Sequence, residues 1–202
     1  MRTLLHNGAS TIDLIDEGAG RPVVLLPSAG RDSLDFDAVA AGLAARGYRV
    51  LRPQPRGALG SAGPMSGITL HDLADDIAMV IRHADGGPAV VAGHAFGNWL
   101  ARMTAADHPS LVCGVALVAA AAKSIPAELS AGVTACGDPA TPREERLRLL
   151  KKLFFATGHD PAEWLQGWHP AARTCQRAAS QATSQAEWWG RGQRRSWICR
   201  LR

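Results

Sequence analysis

Apolar residues fall along the first 120 positions in two alternating textures. Short unbroken apolar runs closed by turn residues predict strands buried on both faces, and apolar positions three and four apart predict helices. Residues 11–15 read as a short first strand, and 23–26 (VVLL, closed by Pro27) as the next. Further strands are predicted at 48–51 (YRVL), 89–92 and 112–119. Between them Phe36, Val39, Ala40, Leu43 and Ala44 recur at helical spacing, with Asp32 or Ser33 placed to cap the start and Gly47 to close the end. Thr69, Leu70, His71 and Asp72 form a capping-box pattern. It opens a helix with Leu70, Leu73, Ile77, Val80 and Ile81 on one face, and another helix is predicted over 98–106. This alternation predicts the α/β class: a mostly parallel sheet with helices on both faces.

The texture changes after Lys123. Thr141-Pro142-Arg143-Glu144 has the form of cap, first-turn proline and third-position acid, and Asp160-Pro161-Ala162-Glu163 repeats it. Short apolar helices are expected to follow, carrying Leu147, Leu150, Leu153 and Phe154, then Trp164, Leu165 and Trp168. Five of the six tryptophans lie beyond residue 163. This predicts a core over 1–122, a helical lid over 123–189, and a basic tail over 190–202.

Composition narrows the class. At 47% hydrophobic and 20% charged, the 202 residues suffice for one globular domain. The N-terminus has no apolar h-region, and no stretch approaches about 18 uninterrupted apolar residues, so no membrane span is expected. Cys113, Cys136, Cys175 and Cys199 form no CxxC pair, which predicts no metal site and reduced thiols in the cytoplasm. The net charge of +4 belongs to the tail GRGQRRSWICRLR, which holds five arginines and no acid; without it the balance is 17 basic against 18 acidic residues. A nucleic-acid surface would spread its charge over the domain, so nucleic acid is not an expected partner.

The chemistry centres on GHAFG, residues 93–97, between a strand and a helix. Such a turn needs small neighbours around a strained central residue, hence Gly93 and Gly97. With it stand VVLLPSAGRDSLDF, YRVLRPQPRGALGS and the capped helix at 70–84. Together these resemble the α/β-hydrolase family, closely over about residues 10–122 and loosely to about 189. The resemblance implies esterase-like hydrolysis of small carbonyl substrates, with no metal and no organic cofactor. It places Ala95 at the nucleophile position and His94 at a spot often held by a histidine that is not the base. It makes the Ala29 and Phe96 backbone N–H groups the donors of an oxyanion hole. Ser28 lies in the same loop, and Gln54 stands where the family often has an acid.

Ala95 carries a methyl group and cannot attack a carbonyl. The family places its acid and base after the lid, and the sequence that follows AEWWGRGQ shows neither. A shifted reading frame near residue 190 is the expected origin of the arginine-rich tail, against a natural basic terminus. Loss of later strands would expose a sheet edge for self-association. Asp138, Glu144, Asp160, Glu163, His159 and His169 remain as titratable candidates and read as caps and solvated faces. Arg56 reads as a tie for neighbouring backbone, Asn98 as a partner within the turn, and Arg146, Arg148, Lys151 and Lys152 as a solvated helix face. Trp164, Trp168, Trp188 and Trp189 could line an apolar pocket or simply pack on the sheet. The expected protein is therefore a hydrolase-fold chain that is hydrolytically inert. The alternatives are a ligand-binding or scaffold protein, or a subgroup in which alanine is native and a bound water does the chemistry.

Overall fold

The computed structural model describes residues 1–120 and 126–184. Strands β1 (Arg2–Asn7) and β2 (Ser10–Gly18) form an antiparallel hairpin. Strands β3 (Arg21–Leu26), β4 (Tyr48–Pro53), β5 (Ala89–His94) and β6 (Val112–Val118) run parallel to one another. The order across the sheet is β1-β2-β4-β3-β5-β6, with β2 antiparallel to β4.

The sheet is buried on both faces because side chains alternate along each strand. Val23, Leu25 and Val50 pack with Ala40 of α1 (Asp37–Ala44). Val24, Leu26, Leu51 and Val91 point the other way, into a core with Ile77, Val80 and Ile81 of α2 (Leu70–Ala84) and Ala101 and Ala105 of α3 (Phe96–Asp107). The capping box forms as the sequence predicts: the Thr69 backbone N–H donates to Asp72 Oδ2 at 2.8 Å, and the Thr69 hydroxyl reaches the same oxygen at 2.7 Å. Asp32 caps the turn ahead of α1, its Oδ1 accepting from the Leu34 N–H.

The hairpin is a correction. One strand was expected at 11–15, whereas the chain forms a six-residue β1 and a nine-residue β2. Strand β1 lies at the sheet edge with alternately exposed and half-buried residues, so it lacks a strong apolar pattern. Gly8 at φ +56° followed by Ala9 at ordinary φ closes it with a two-residue loop.

Past β6, the described chain forms α4 (Ala127–Gly137), α5 (Arg143–Leu153), a 3-10 turn at Pro161–Trp164, and α6 (Pro170–Ala182). The segment after Asp160 is thus a single 3-10 turn; the next α-helix starts only at Pro170. Arg146 also departs from the expected solvated face. It donates to Cys136 O at 2.8 Å and Leu165 O at 2.7 Å, tying α5 to the end of α4. Arg148 keeps the exposed position, paired with Glu145.

Arg56 and Asp76 bind the layers together. Asp76, 2% exposed, accepts from Arg56 Nε at 2.7 Å, Ser10 Oγ at 2.7 Å and Asn7 Nδ2 at 3.3 Å. Arg56 also donates to Pro64 O and Asp72 O, the backbone-tying role expected for it. One carboxylate thus joins the hairpin, the loop after β4, and α2. Removing it strands a buried guanidinium, so Asp76→Ala is expected to cost about 3–5 kcal/mol in urea unfolding. A loss below about 1 kcal/mol would show that water reaches and solvates Arg56 there.

Candidate functional site

The order of β4, β3, β5 and β6 reverses between β3 and β5, because the chain leaves β3 toward one edge and returns to build the other. Such reversals open a crevice beyond the carboxyl ends of the strands. Two segments border it: the loop after β3, and the junction of β5 with α3.

At that junction His94 ends the strand and Phe96 begins the helix, so all of the turning is done by Ala95, at φ +50° and ψ −108°. A non-glycine residue there stores about 1–3 kcal/mol of strain. The surrounding packing enforces it. A Cβ on Gly97 would overlap the Leu26 carbonyl and lie 2.9 Å from Pro27 O. A Cβ on Gly93 would overlap the Gly97 carbonyl and lie 2.5 Å from the Asn98 nitrogen. Helix α3 therefore starts pressed against the end of β3. Asn98, fully buried, donates its side-chain N–H to Ala95 O, as expected for a partner within the turn. The Ala95 N–H bonds Val118 O at 3.1 Å.

Ser28, Ala29 and Gly30 make up the facing loop. Ser28 is 5% exposed, and its carbonyl accepts from the Arg31 N–H at 3.1 Å. Ala29 packs against the cluster that contains Phe96. Neither the Ala29 N–H nor the Phe96 N–H has an acceptor among the described residues.

The chain from Trp164 to Gln176 clamps this loop. Gly30 N–H donates to Gln176 Oε1 at 2.8 Å, and the His169 N–H donates to Gly30 O at 2.7 Å. Arg31, its side chain 2% exposed, is the centre of the clamp. Its guanidinium bonds Asp35 Oδ2 at 2.8 Å and the carbonyls of Trp164 and Gln166. It also lies 4.7 Å and 4.9 Å from the ring centroids of Trp164 and Trp168. Trp164 meets the His94 ring edge-on at 6.1 Å and packs with Phe154 and Phe155. The two indoles meet edge-on at 6.5 Å, and Arg31 sits in the corner between their planes. Trp188 and Trp189 lie outside the described residues.

The titratable candidates separate. Asp138 and Asp160 accept from the N–H groups of Ala140 and Ala162, which is local capping. Glu144, Glu163 and His159 are exposed. His169 is different: its Nε2 lies 2.8 Å from Asp32 Oδ2, across 137 residues of sequence. Asp32 was legible as a cap, but nothing in the sequence marked its second partner or the role of Arg31. No group of metal-ligating side chains occurs among the described residues.

Burial pushes the His94 pKa below its ordinary 6.5; Asp35 opposes the shift and Arg31 adds to it. The neutral ring is therefore favoured in the folded state, and the unfolded state binds more protons once pH falls toward 6.5. Stability contributed by neutral His94 is present above that pH and lost as pH drops to the folded value. The urea midpoint is expected to fall between about pH 7.5 and 5.5, and His94→Gln should flatten that slope. An unchanged slope in His94→Gln would mean that the ring is solvated.

The family described as alpha/beta hydrolase fold matches residues 21–197 of the chain. The esterase EaEST from Exiguobacterium antarcticum is 24% identical and superposes with a TM-score of 0.70, covering 89% of this chain and 72% of that one. A thaumarchaeal carboxylesterase structure from Nitrososphaera gargenis is 19% identical with a TM-score of 0.67, covering 93% and 72%. A putative epoxide hydrolase from Pseudomonas aeruginosa is 19% identical with a TM-score of 0.67, covering 95% and 71%. At these identities the structural likeness carries the fold, while the family match covers most of the sequence. The chain belongs to the α/β-hydrolase fold family.

Proposed function

We propose that this protein binds a small ester or related apolar carbonyl compound over the Ala95 turn and does not cleave it. The observation that carries this reading is the methyl group of Ala95 at the strained apex of the β5–α3 junction. An elbow of this kind presents its central side chain to the bound carbonyl, and a methyl group offers no lone pair to attack with. The Ala29 and Phe96 N–H groups, without an acceptor among the described residues, are suited to hold a carbonyl oxygen, with the uncapped N-terminus of α3 adding its dipole. The helices past β6 act as the lid over the ligand. The esterase and epoxide hydrolase neighbours support a neutral carbonyl or strained-ring ligand class.

His94 is committed to Trp164, and His169 to Asp32. A hydroxyl placed at residue 95 thus gains no base from either histidine. Calorimetry with ethyl butyrate should show saturable binding, while p-nitrophenyl butyrate should be hydrolysed no faster than with heat-denatured protein. Ala95→Ser should raise that rate less than about tenfold, because a serine without its base adds little. A wild-type kcat near the enzyme median of about 10 s⁻¹, or no ester binding, overturns the reading. A gain of about 10³-fold in Ala95→Ser would place a working base beside residue 95.

Self-association through β6 is part of the same proposal. Among the described residues β6 pairs only with β5, and Leu117 and Val118 are 42% and 51% exposed. Sedimentation equilibrium should give a mass that rises with concentration, and Val118→Lys should lower it toward 21.3 kDa. A concentration-independent monomer ends this part. The free thiols of Cys136 and Cys175 fit a reducing, cytoplasmic setting.

A further inference from the structure

A groove of about 480 Å³ runs between the end of α4 and the outer face of α6. It shares Gly30 with the loop after β3 and has none of residues 93–97 in its lining, so it is separate from the Ala95 turn. Trp168, Pro139 and Ala178 give it apolar walls. Arg173 and Arg177, four residues apart on α6, give it charge.

The two arginines are poorly neutralised. Helix α6 carries no acidic residue. Like charges at this spacing destabilise a helix, and neither guanidinium forms an ion pair among the described residues. Arg173 uses two of its donors, on Thr134 Oγ1 at 2.7 Å and Val133 O at 3.5 Å. Arg177 uses none among the described residues. Burial, with Arg177 nearby, pulls the Arg173 pKa down. Asp138 is the carboxylate of the lining, and its Oδ1 is already engaged by the Ala140 N–H. The groove therefore holds two cations and one carboxylate beside a tryptophan face.

We propose that this groove binds an organic phosphate monoester, its phosphate between Arg173 and Arg177 and its apolar part against Trp168. A phosphate monoester carries about −1.5 to −2 charge at pH 7, which matches the two guanidiniums, and its oxygens suit the planar guanidinium fork. A carboxylate supplies half of that charge. Bound phosphate removes the repulsion along α6 and uses the idle donors of both arginines. The proposal is independent of what the Ala95 turn binds.

The test is a titration of the whole chain with phenyl phosphate, read by calorimetry and by tryptophan fluorescence. Benzoate, benzyl alcohol and inorganic phosphate serve as comparison ligands. Arg177→Gln removes an exposed side chain with no side-chain partner among the described residues, so the fold is retained, which circular dichroism checks. Arg148→Gln removes an exposed cation elsewhere. Saturable binding of phenyl phosphate is expected, several-fold tighter than benzoate and far tighter than benzyl alcohol. Arg177→Gln should weaken it at least about tenfold and Arg148→Gln less than about twofold, a contrast that general charge attraction would not give. Three results would overturn the proposal: no saturable binding up to about 10 mM, equal binding of benzyl alcohol, or equal losses in the two variants. Inorganic phosphate binding as tightly as phenyl phosphate would overturn the apolar half, the seat on Trp168.

Discussion

The close approach of α3 to the end of β3 governs the rest of the site. Gly97 lies so near the carbonyls of Leu26 and Pro27 that no side chain fits between them. Gly93 meets the first turn of the same helix just as closely. With both neighbours fixed, the chain can pass from strand to helix only through one residue at positive φ, and that residue is Ala95. The strain is maintained by packing on either side and does not depend on what side chain the apex carries. This explains how so strained a turn persists around a methyl.

The same approach leaves backbone donors idle. The first N–H groups of a helix have no partner within it, and α3 begins without a capping side chain. The loop after β3 is held opposite by Arg31, whose guanidinium lies against two indoles and is bonded to carbonyls of the 164–166 segment. A buried cation so fully engaged makes a rigid clamp, since moving it would strand its charge. The loop that faces the turn and the 164–166 segment are thus mechanically one unit.

The outer side of that unit carries its own chemistry. Helix α6 turns Ala172, Cys175 and Ala179 inward, and Arg173 and Arg177 toward α4. The apolar stripe fixes how the helix docks, and docking fixes where the two cations stand. One amphipathic element thus braces the loop beside Ala95 and furnishes a separate charged groove.

Local patterns written in neighbouring residues were legible in the sequence. The strands at 23–26, 48–51 and 89–92, the capping box at Thr69 and the two glycines around Ala95 each depend on residues within a few positions of one another. So does the alternation that fixes a parallel sheet with helices on both faces. The edge strand β1 escaped because its apolar residues do not sort by face: Leu4 is exposed, while Thr3 and Asn7 flank Leu5 on the inner side. The second turn-and-cap pattern, at Asp160, gave only a 3-10 turn, since a cap satisfies the first N–H groups but does not by itself carry a helix onward. Contacts across long separations were decided by tertiary structure alone. Asp32 and His169 stand 137 residues apart, and Gly30 and Gln176 stand 146 apart. Of the partners of Arg31 only Asp35, four residues on, is local; the carbonyls of Trp164 and Gln166 and the two indole faces come from a segment more than 130 residues away. Periodicity reports which face of an element is apolar; which charged groups meet across those faces is set only when the layers close.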